Sequence, residues 1–315
     1  MTTYVIRRLV ESLALVLVVT MATFALINSA PGGPSILLDP NMSPEDTARL
    51  RAVYGLDRPI PEQYVRWLGQ LLQGNLGFSL GVGRPVNELI SSALPATLLL
   101  SGSALLLSLA LAIPLGMAAA VFRGSWFDQV ITSLSFMGLS LPVFWYGLML
   151  IILFSVLLRW LPAGGMYTPG LEGSLPDLFA HLLLPTITLA TVNVAQLVRY
   201  TRSAMIGVLK QDYVRTARAK GVPAARVVTR HAFRTALIPV LTLIGILIPR
   251  LVGGAAVTES VFSWPGMGRL AIAAAFRQDY PTIMGITLLV SIIVAMTNLV
   301  VDLLYARLDP RVTYR

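Results

Sequence analysis

Six long apolar runs dominate this sequence and restrict what the chain can fold into. The runs span residues 9–30, 89–122, 129–158, 182–198, 236–257 and 281–304. A helix needs about 20 mainly apolar residues to cross a bilayer, and a helix satisfies its backbone hydrogen bonds within the segment. The sequence therefore predicts an all-α polytopic membrane protein with six transmembrane helices.

Composition supports this class and excludes others. Hydrophobic residues make up 56% of the chain and charged residues 12%, whereas soluble domains carry roughly 25% charged residues. The net charge of +9 does not indicate a nucleic-acid partner, because basic residues at membrane borders are explained by topology. With no cysteine and two histidines, no metal site is expected.

The distribution of Lys and Arg predicts the orientation. With a cytoplasmic amino terminus, inner segments carry fifteen basic residues and outer loops carry eight, as the positive-inside rule requires. The first run is too long for a typical signal-peptide core, so we expect an uncleaved span. Both termini are then cytoplasmic, and the chain crosses the membrane several times.

One extended polar region separates the first two runs. We divide the chain into the amino-terminal tail and first transmembrane helix (1–30), an extracytoplasmic helical cap (31–94) and a core with five transmembrane helices (95–315). In the cap, Ser43 and Pro44 predict a helix start. A second helix over 61–73 is expected to place Tyr64, Leu68, Leu71 and Leu72 on one face.

A basic segment, DYVRTARAKGVPAARVVTRHAFRTALIP, interrupts the apolar core at 212–239 and overlaps the predicted cytoplasmic loop 206–236. Gly221 suits the position after a helix end, and Pro223 suits the first turn of the next helix, which predicts a helical elbow. Arg226, Arg230 and Arg234 recur every four residues and share one face. From the residues alone, docking into a partner's groove and contact with anionic lipid headgroups both remain open.

Three further features inside the apolar runs each leave two interpretations open. The Ser140-Leu141-Pro142 break is either a simple kink or part of a gate. Asn193, Gln196 and Tyr200, on one helix side, either line a translocation path or hydrogen-bond to neighbouring helices. Arg250 either holds a substrate carboxylate or is satisfied by a neighbouring helix, by Glu259 or by reaching the outer surface.

Several motifs resemble one family over nearly the whole chain. The elbow carries QDYVRTARAKG and RHAFRTALIP, the cap carries YGLDRPIPEQYVRWLGQLLQGNLGFSL, and the chain closes with NLVVDLLYARLDPR. These resemble ABC-importer permeases of the dipeptide/oligopeptide/nickel branch. The general coupling-loop pattern of this family has a glutamate and two alanines, followed by a glycine. Here Arg215, Thr216 and Ala217 stand at the first three positions and Gly221 at the glycine, so the chain departs from the pattern at its first two positions.

The resemblance implies a type I ABC-importer permease fold and a mechanical role for the elbow. Residues 212–234 would sit in a groove of an ATPase, whose closure on ATP would turn the spans from inward-open to outward-open. The implied ATPase-coupling residues are Asp212, Tyr213, Arg215, Thr216, Ala217, Lys220, Gly221, Arg226, Arg230 and His231. Loop 258–280 would dip toward the pathway, and the path candidates are Asn193, Gln196, Arg250, Phe262 and Trp264.

The same resemblance implies a place in the inner membrane of a prokaryote, and it implies the partners. These are a second homologous permease, two cytoplasmic ABC ATPases, an extracytoplasmic substrate-binding protein and the lipid bilayer. This chain has no P-loop, so ATP and Mg would be used by the ATPases, no cofactor is expected here, and the chain would be a transport subunit rather than an enzyme.

Other functions remain as alternatives. A secondary transporter is less favoured because Glu11 and Asp302 sit near span ends and no internal repeat is visible. An intramembrane protease lacks a recognisable nucleophile pattern. Within the family, the residues favour dipeptide or oligopeptide cargo over nickel or glutathione.

Overall fold

The structure, a computed structural model, describes residues 2–29 and 43–308. The helices are α1 Thr2–Ser29, α2 Pro44–Tyr54, α3 Ile60–Leu72, α4 Val86–Val121, α5 Trp126–Ser140, α6 Val143–Leu150, α7 Leu175–Leu209, α8 Asp212–Ala219, α9 Ala224–Arg226, α10 Phe233–Gly254, α11 Ala256–Val261, α12 Met267–Phe276 and α13 Tyr280–Leu308. Two π-helical segments, Ile151–Leu157 and Val227–Ala232, follow α6 and α9. Among these residues the only β pairing is an isolated bridge, so the predicted all-α class is confirmed.

Four helices are long and apolar enough to cross a membrane. They are Ile6–Ser29, Val86–Val121, Leu175–Leu209 and Tyr280–Asp302. Two bent pairs pass the same test together, Trp126–Ser140 with Val143–Leu157 and Ala224–Leu237 with Pro239–Leu247. Counting each pair as one span gives up to six spans in the described residues, which matches the number expected from the sequence.

The third predicted span is sharply broken. Its two halves meet at an angle of 102°. Leu141 adopts an extended conformation (ψ 129°), because the ring of the following proline disfavours the helical region for the residue before it. Pro142 then caps α6. The predicted break is therefore present, although neither of its two interpretations is tested by the angle.

The first two cap helices form as the sequence predicts. Ser43 is the N-cap of α2 and its Oγ accepts a hydrogen bond from the Asp46 backbone N–H at 3.1 Å. The expected apolar face of α3 needs one correction. Leu72 is 89% exposed, and Trp67 is buried instead, because the helix turns Tyr64, Trp67, Leu68 and Leu71 toward Phe24 and Met284.

The chain divides into two compact units. The first comprises residues 2–29, 43–97 and 265–299, and the second comprises 98–264 and 300–308. In the first unit, α4, α12 and α13 enclose an apolar cluster. Its buried members are Val86, Ile90, Ala93, Met267 and Ile286.

A buried carboxylate also stabilises the first unit. Asp279, in the junction before α13, accepts hydrogen bonds from the Ser79 hydroxyl, the Leu80 N–H at 3.1 Å and the Thr282 hydroxyl at 2.8 Å. Asp279 is only 1% exposed. The carboxylate thus ties the turn after α3 to the start of α13, two segments 200 residues apart.

The core of the second unit lies between α4, α7 and α10. Its buried residues are Ala112, Leu197, Val198, Val240, Leu243 and Leu247. Small residues let the helices approach closely: a Cβ added to Gly116 would lie 2.7 Å from Thr201 Cβ and 2.9 Å from the Val198 oxygen. A second glycine, Gly138 on α5, faces Thr191 and Ala195 of α7. Such small residues are typical of helix packing in membranes.

Candidate functional site

The basic elbow, residues 212–234, begins with a short helix that has a well-defined end. Gly221 has φ +73°, and its N–H donates to the Arg218 oxygen at 2.9 Å while the Val222 N–H donates to the Ala217 oxygen at 3.2 Å. These two bonds define a Schellman motif, which needs a left-handed residue at this position. The role predicted for Gly221 as the residue after the helix end is confirmed.

The second half of the elbow differs from the prediction in detail. Pro223 is the N-cap of α9 rather than a residue of its first turn. After Arg226 the chain forms a π-helical segment, so Arg226 and Arg230 do not follow the ordinary α-helical register assumed for their shared face. The sequence gives no local signal for this change, because π segments arise from packing and not from a residue pattern.

Buried side chains fix the elbow to the second unit. Val214 and Val227 are fully buried, and Ala232 and Ala236 pack with Ala120 of α4 and Met205 of α7. The Tyr213 hydroxyl donates to Thr235 Oγ1 at 3.1 Å, which links α8 to α10. The elbow is therefore held against the second unit at both of its ends.

The exposed residues of the elbow are strongly basic. The exposed cations are Arg215, Arg218, Lys220, Arg226, Arg230 and Arg234. Asp212, the one acidic residue in 212–234, pairs with Arg215, and both side chains are largely exposed. Of the other predicted coupling residues, Tyr213 and Thr216 are exposed, while Ala217 and His231 are half-buried. Eight of the ten predicted coupling residues are thus exposed, and the other two are half-buried.

An ion pair that sequence analysis missed supports the helices next to the elbow. Arg202 of α7 donates from Nε to Asp128 Oδ1 at 2.5 Å and from Nη2 to Asp128 Oδ2 at 2.7 Å. Asp128 also accepts from the Gly124 N–H at 3.0 Å. No sequence pattern joins these two residues, which are 74 positions apart.

The predicted path residues fall into different environments. Asn193 is buried and its Nδ2 donates to no described protein atom, whereas Gln196 is half-buried on the same helix. Nearby Thr188 and Thr191 donate to backbone oxygens one turn earlier in α7, at 2.9 and 2.8 Å. Arg250 falls in α10, but its side chain lies outside the described residues.

Phe262 and Trp264 are packed in the interior of the second unit. They are 1% and 0% exposed. Gly165 donates its N–H to the Phe262 oxygen at 2.8 Å, and a Cβ on Gly164 would lie 2.5 Å from the same oxygen. The Phe262 ring lies against Gly147 of α6, where an added Cβ would be 3.1 Å away. The segment after α11 is thus locked between α6 and the loop before α7.

This architecture, a helical membrane core with an ordered basic elbow between two apolar segments, is that of a transport permease. Residues 112–314 match the family described as "Binding-protein-dependent transport system inner membrane component". Residues 1–101 match the corresponding amino-terminal family, "Binding-prot-dependent transport system membrane comp, N-term". The chain belongs to this family of multi-pass inner membrane transport subunits.

Similar proteins cover the full chain. The oligopeptide transport system permease protein AppB of Bacillus subtilis (strain 168) is 45% identical over 100% of both chains. The di/tripeptide transport system permease protein DppB of Pseudomonas aeruginosa (strain UCBPP-PA14) is 43% identical over 100% of both. The dipeptide transport system permease protein DppB of Escherichia coli (strain K12) is 39% identical over 99% of both.

Solved structures share the fold. Structures of the MetNI methionine ABC transporter in inward-facing conformations align with a TM-score of 0.57 and 16% identity, over 70% of this chain and 96% of the matched chain. At this identity the similarity concerns the fold alone. It agrees with the type I ABC-importer permease fold expected from the sequence.

Proposed function

We propose that this chain is the permease subunit of an ABC importer that carries peptides across the cytoplasmic membrane. The observation that carries the proposal is the full-length similarity, at 39–45% identity, to permeases named for oligopeptide, di/tripeptide and dipeptide transport. These names favour peptides over nickel or glutathione as cargo.

We further propose the assembly in which it works. Both termini face the cytoplasm, and the partners are a second homologous permease, two ABC ATPases that use ATP and Mg, and an extracytoplasmic substrate-binding protein. The division into a first span (1–30), a cap (31–94) and a core (95–315) belongs to the same proposal. The family's description as a component of binding-protein-dependent systems supports the binding-protein partner.

Coupling to the ATPases is assigned to the elbow. Its ordered anchorage through Val214, Val227 and Ala232 supports this assignment, because a projection that transmits a push needs to be stiff. Its exposed arginines offer charge-assisted hydrogen bonds to acidic groups of a partner. Contact with lipid headgroups is less favoured as the only role of these cations, because such contact does not need an ordered Schellman turn.

The translocation path is assigned to Asn193 and Gln196 of α7, with Phe262, Trp264 and Arg250 contributing. The Asn193 amide supports the assignment to a path over interhelical bonding, because its Nδ2 has no described protein acceptor and a buried unpaired donor costs about 1–3 kcal/mol. The complete burial of Phe262 and Trp264 fits a closed barrier that opens when α6 and α11 separate.

Uptake measurements test the function directly. Cells deleted for this gene and complemented cells would be given a labelled dipeptide and, separately, labelled nickel. We expect dipeptide uptake to fall on deletion and to return on complementation, with nickel uptake unchanged. A response of nickel alone would contradict the peptide assignment, and no response of either would contradict both cargoes.

A further inference from the structure

A cavity of about 530 Å³ lies within the first unit. The end of α2, α3, the turn that follows α3, α1 and the start of α13 contribute its walls. Small-molecule sites typically enclose roughly 300–1,000 Å³ and are lined mainly by apolar and aromatic groups with a few polar ones. This cavity fits that description: Phe24, Phe78 and Met284 supply apolar walls, and amides and guanidiniums supply the polar ones.

One polar atom of the wall is buried without a partner. Trp67 is 9% exposed, and its Nε1 donates to no described protein atom. Its ring is held in place by stacking on Tyr64, with centroids 5.7 Å apart, and the Tyr64 hydroxyl is hydrogen-bonded to Thr20 at 3.0 Å. Because the Nε1 atom is itself buried, Trp67 lines the cavity with its other atoms and gives the wall a fixed aromatic side.

The charge of the wall selects the kind of ligand. Arg58 and Arg66 line the cavity, and none of the described residues that line it is acidic. Both guanidiniums pair with the single carboxylate of Glu62, Arg66 at 3.3 Å, so one positive charge remains in excess. Guanidinium groups bind carboxylates in a planar, two-bond geometry. A ligand with a free carboxylate is favoured.

The amides of the wall distinguish a peptide from other anions. Gln63, Gln70 and Asn75 line the same cavity. A side-chain amide both donates and accepts, which suits the N–H and C=O of a peptide bond, whereas a phosphate headgroup of a lipid only accepts. The apolar walls can then receive a side chain of the peptide.

We propose that this cavity is a binding site for the carboxyl-terminal end of a short peptide. The guanidiniums of Arg58 and Arg66 hold the terminal carboxylate, the wall amides pair with the peptide bond, and the aromatic side of Trp67 packs against the peptide. This inference rests on the proposed function, because it identifies peptide as the ligand, but its test does not depend on transport.

Photolabelling locates the site. The full chain, purified into nanodiscs of phosphatidylcholine, is irradiated with alanyl-p-benzoylphenylalanine, and the labelled residues are identified by mass spectrometry. We expect labels within 56–85 and 280–284. Unlabelled Ala-Phe competes, and its carboxyl-amidated form competes at least about tenfold less well because a charge-assisted pair is lost. Labels confined to other regions, or equal competition by the amide, would overturn the proposal.

Matched variants test the residues. Arg66→Gln is expected to weaken competition by Ala-Phe about tenfold. Arg84→Gln is the control, because Arg84 is as exposed as Arg66, at 55%, and makes the same i,i+4 pair, with Glu88 at 3.1 Å, outside the cavity. Elution as a single species in detergent shows that each variant is folded. Equal affinity of Arg66→Gln and Arg84→Gln would refute the role of Arg66.

Two further arms separate this proposal from its rivals. In nanodiscs containing phosphatidylglycerol, labelling should persist; its loss would show that a lipid headgroup takes the site. Dipeptide uptake by intact cells is measured in parallel. Gene-dependent uptake without labelling at the cavity would overturn the site and leave the function standing, whereas cavity labelling without gene-dependent uptake would support the site and contradict the importer.

Discussion

Arg202 holds the carboxylate of Asp128 in a two-bond pair, with nitrogen–oxygen distances of 2.5 and 2.7 Å. The Asp128 side chain is 5% exposed and that of Arg202 is 27% exposed. Because Asp128 also accepts the Gly124 N–H, the pair ties α7 to the turn before α5. Removing one partner would leave the other charge poorly solvated, so we expect the loss of this pair to have a measurable effect on stability.

We therefore predict that Asp128→Ala lowers the free energy of unfolding by about 2–3 kcal/mol, somewhat below the cost of breaking a fully buried pair because Arg202 is partly solvated. The measurement is the thermal unfolding midpoint of the detergent-solubilised protein. Glu88→Ala is the control, since it breaks an exposed pair with Arg84 worth about 0–1 kcal/mol. Equal midpoints for the two variants would contradict the prediction.

Where one local pattern decides a feature, sequence analysis succeeded. Ser43 caps α2, Pro142 follows a helix break, and Gly221 takes the left-handed position after α8. In each case a residue type is nearly dictated by backbone geometry. The apolar runs likewise predicted the membrane helices, because the bilayer sets their length.

Where distant segments decide a feature, sequence analysis failed. The Asp128–Arg202 pair and the Asp279 bonds to Ser79 and Leu80 join positions 74 to 200 residues apart, and nothing in either local sequence identifies the partner. The exposure of Leu72 has a similar cause, because the rotation of α3 is set by Phe24 and Met284.

Glycines on α4 provide a matched test of helix packing. Gly116 has no room for a methyl group against Thr201, whereas an added Cβ on Gly102 meets nothing within 4 Å. We predict that Gly116→Ala destabilises the protein by about 1–3 kcal/mol through overpacking. Gly102→Ala should be neutral or stabilising by up to about 1 kcal/mol, as expected for alanine in a helix. The thermal unfolding midpoint in detergent measures the stability of both variants. A similar midpoint for the two variants would contradict the prediction, because it would show that α4 and α7 can separate without cost.

Asp279 offers a second test of long-range bonding. Asp279→Ala leaves the Ser79 hydroxyl, the Leu80 N–H and the Thr282 hydroxyl without this acceptor. We expect a loss of about 2–4 kcal/mol, since each unsatisfied buried group costs about 1–3 kcal/mol and some recover other acceptors. Limited proteolysis should then cut the turn at 79–83 faster. Asp279→Asn keeps an acceptor, so its rate of cleavage should lie between the rates of Asp279→Ala and the wild type. An unchanged rate of cleavage in Asp279→Ala would count against the bonding role of Asp279.

The last prediction concerns Gly221, which connects the local structure of the elbow to its proposed coupling role. An added Cβ here meets no described protein atom within 4 Å, so the cost of Gly221→Ala is the left-handed backbone alone, about 1–2 kcal/mol. Gly221→Arg adds bulk at the exposed turn. Both variants should insert into the membrane at normal levels. ATP-driven peptide uptake should fall in Gly221→Ala and should be abolished in Gly221→Arg.

Gly170→Ala is the control, because Gly170 has φ +89° and equally open surroundings in another loop. Gly170→Ala carries a similar backbone cost, because φ is positive at both glycines, and it should transport normally. Normal uptake by Gly221→Arg would remove the elbow from the coupling mechanism.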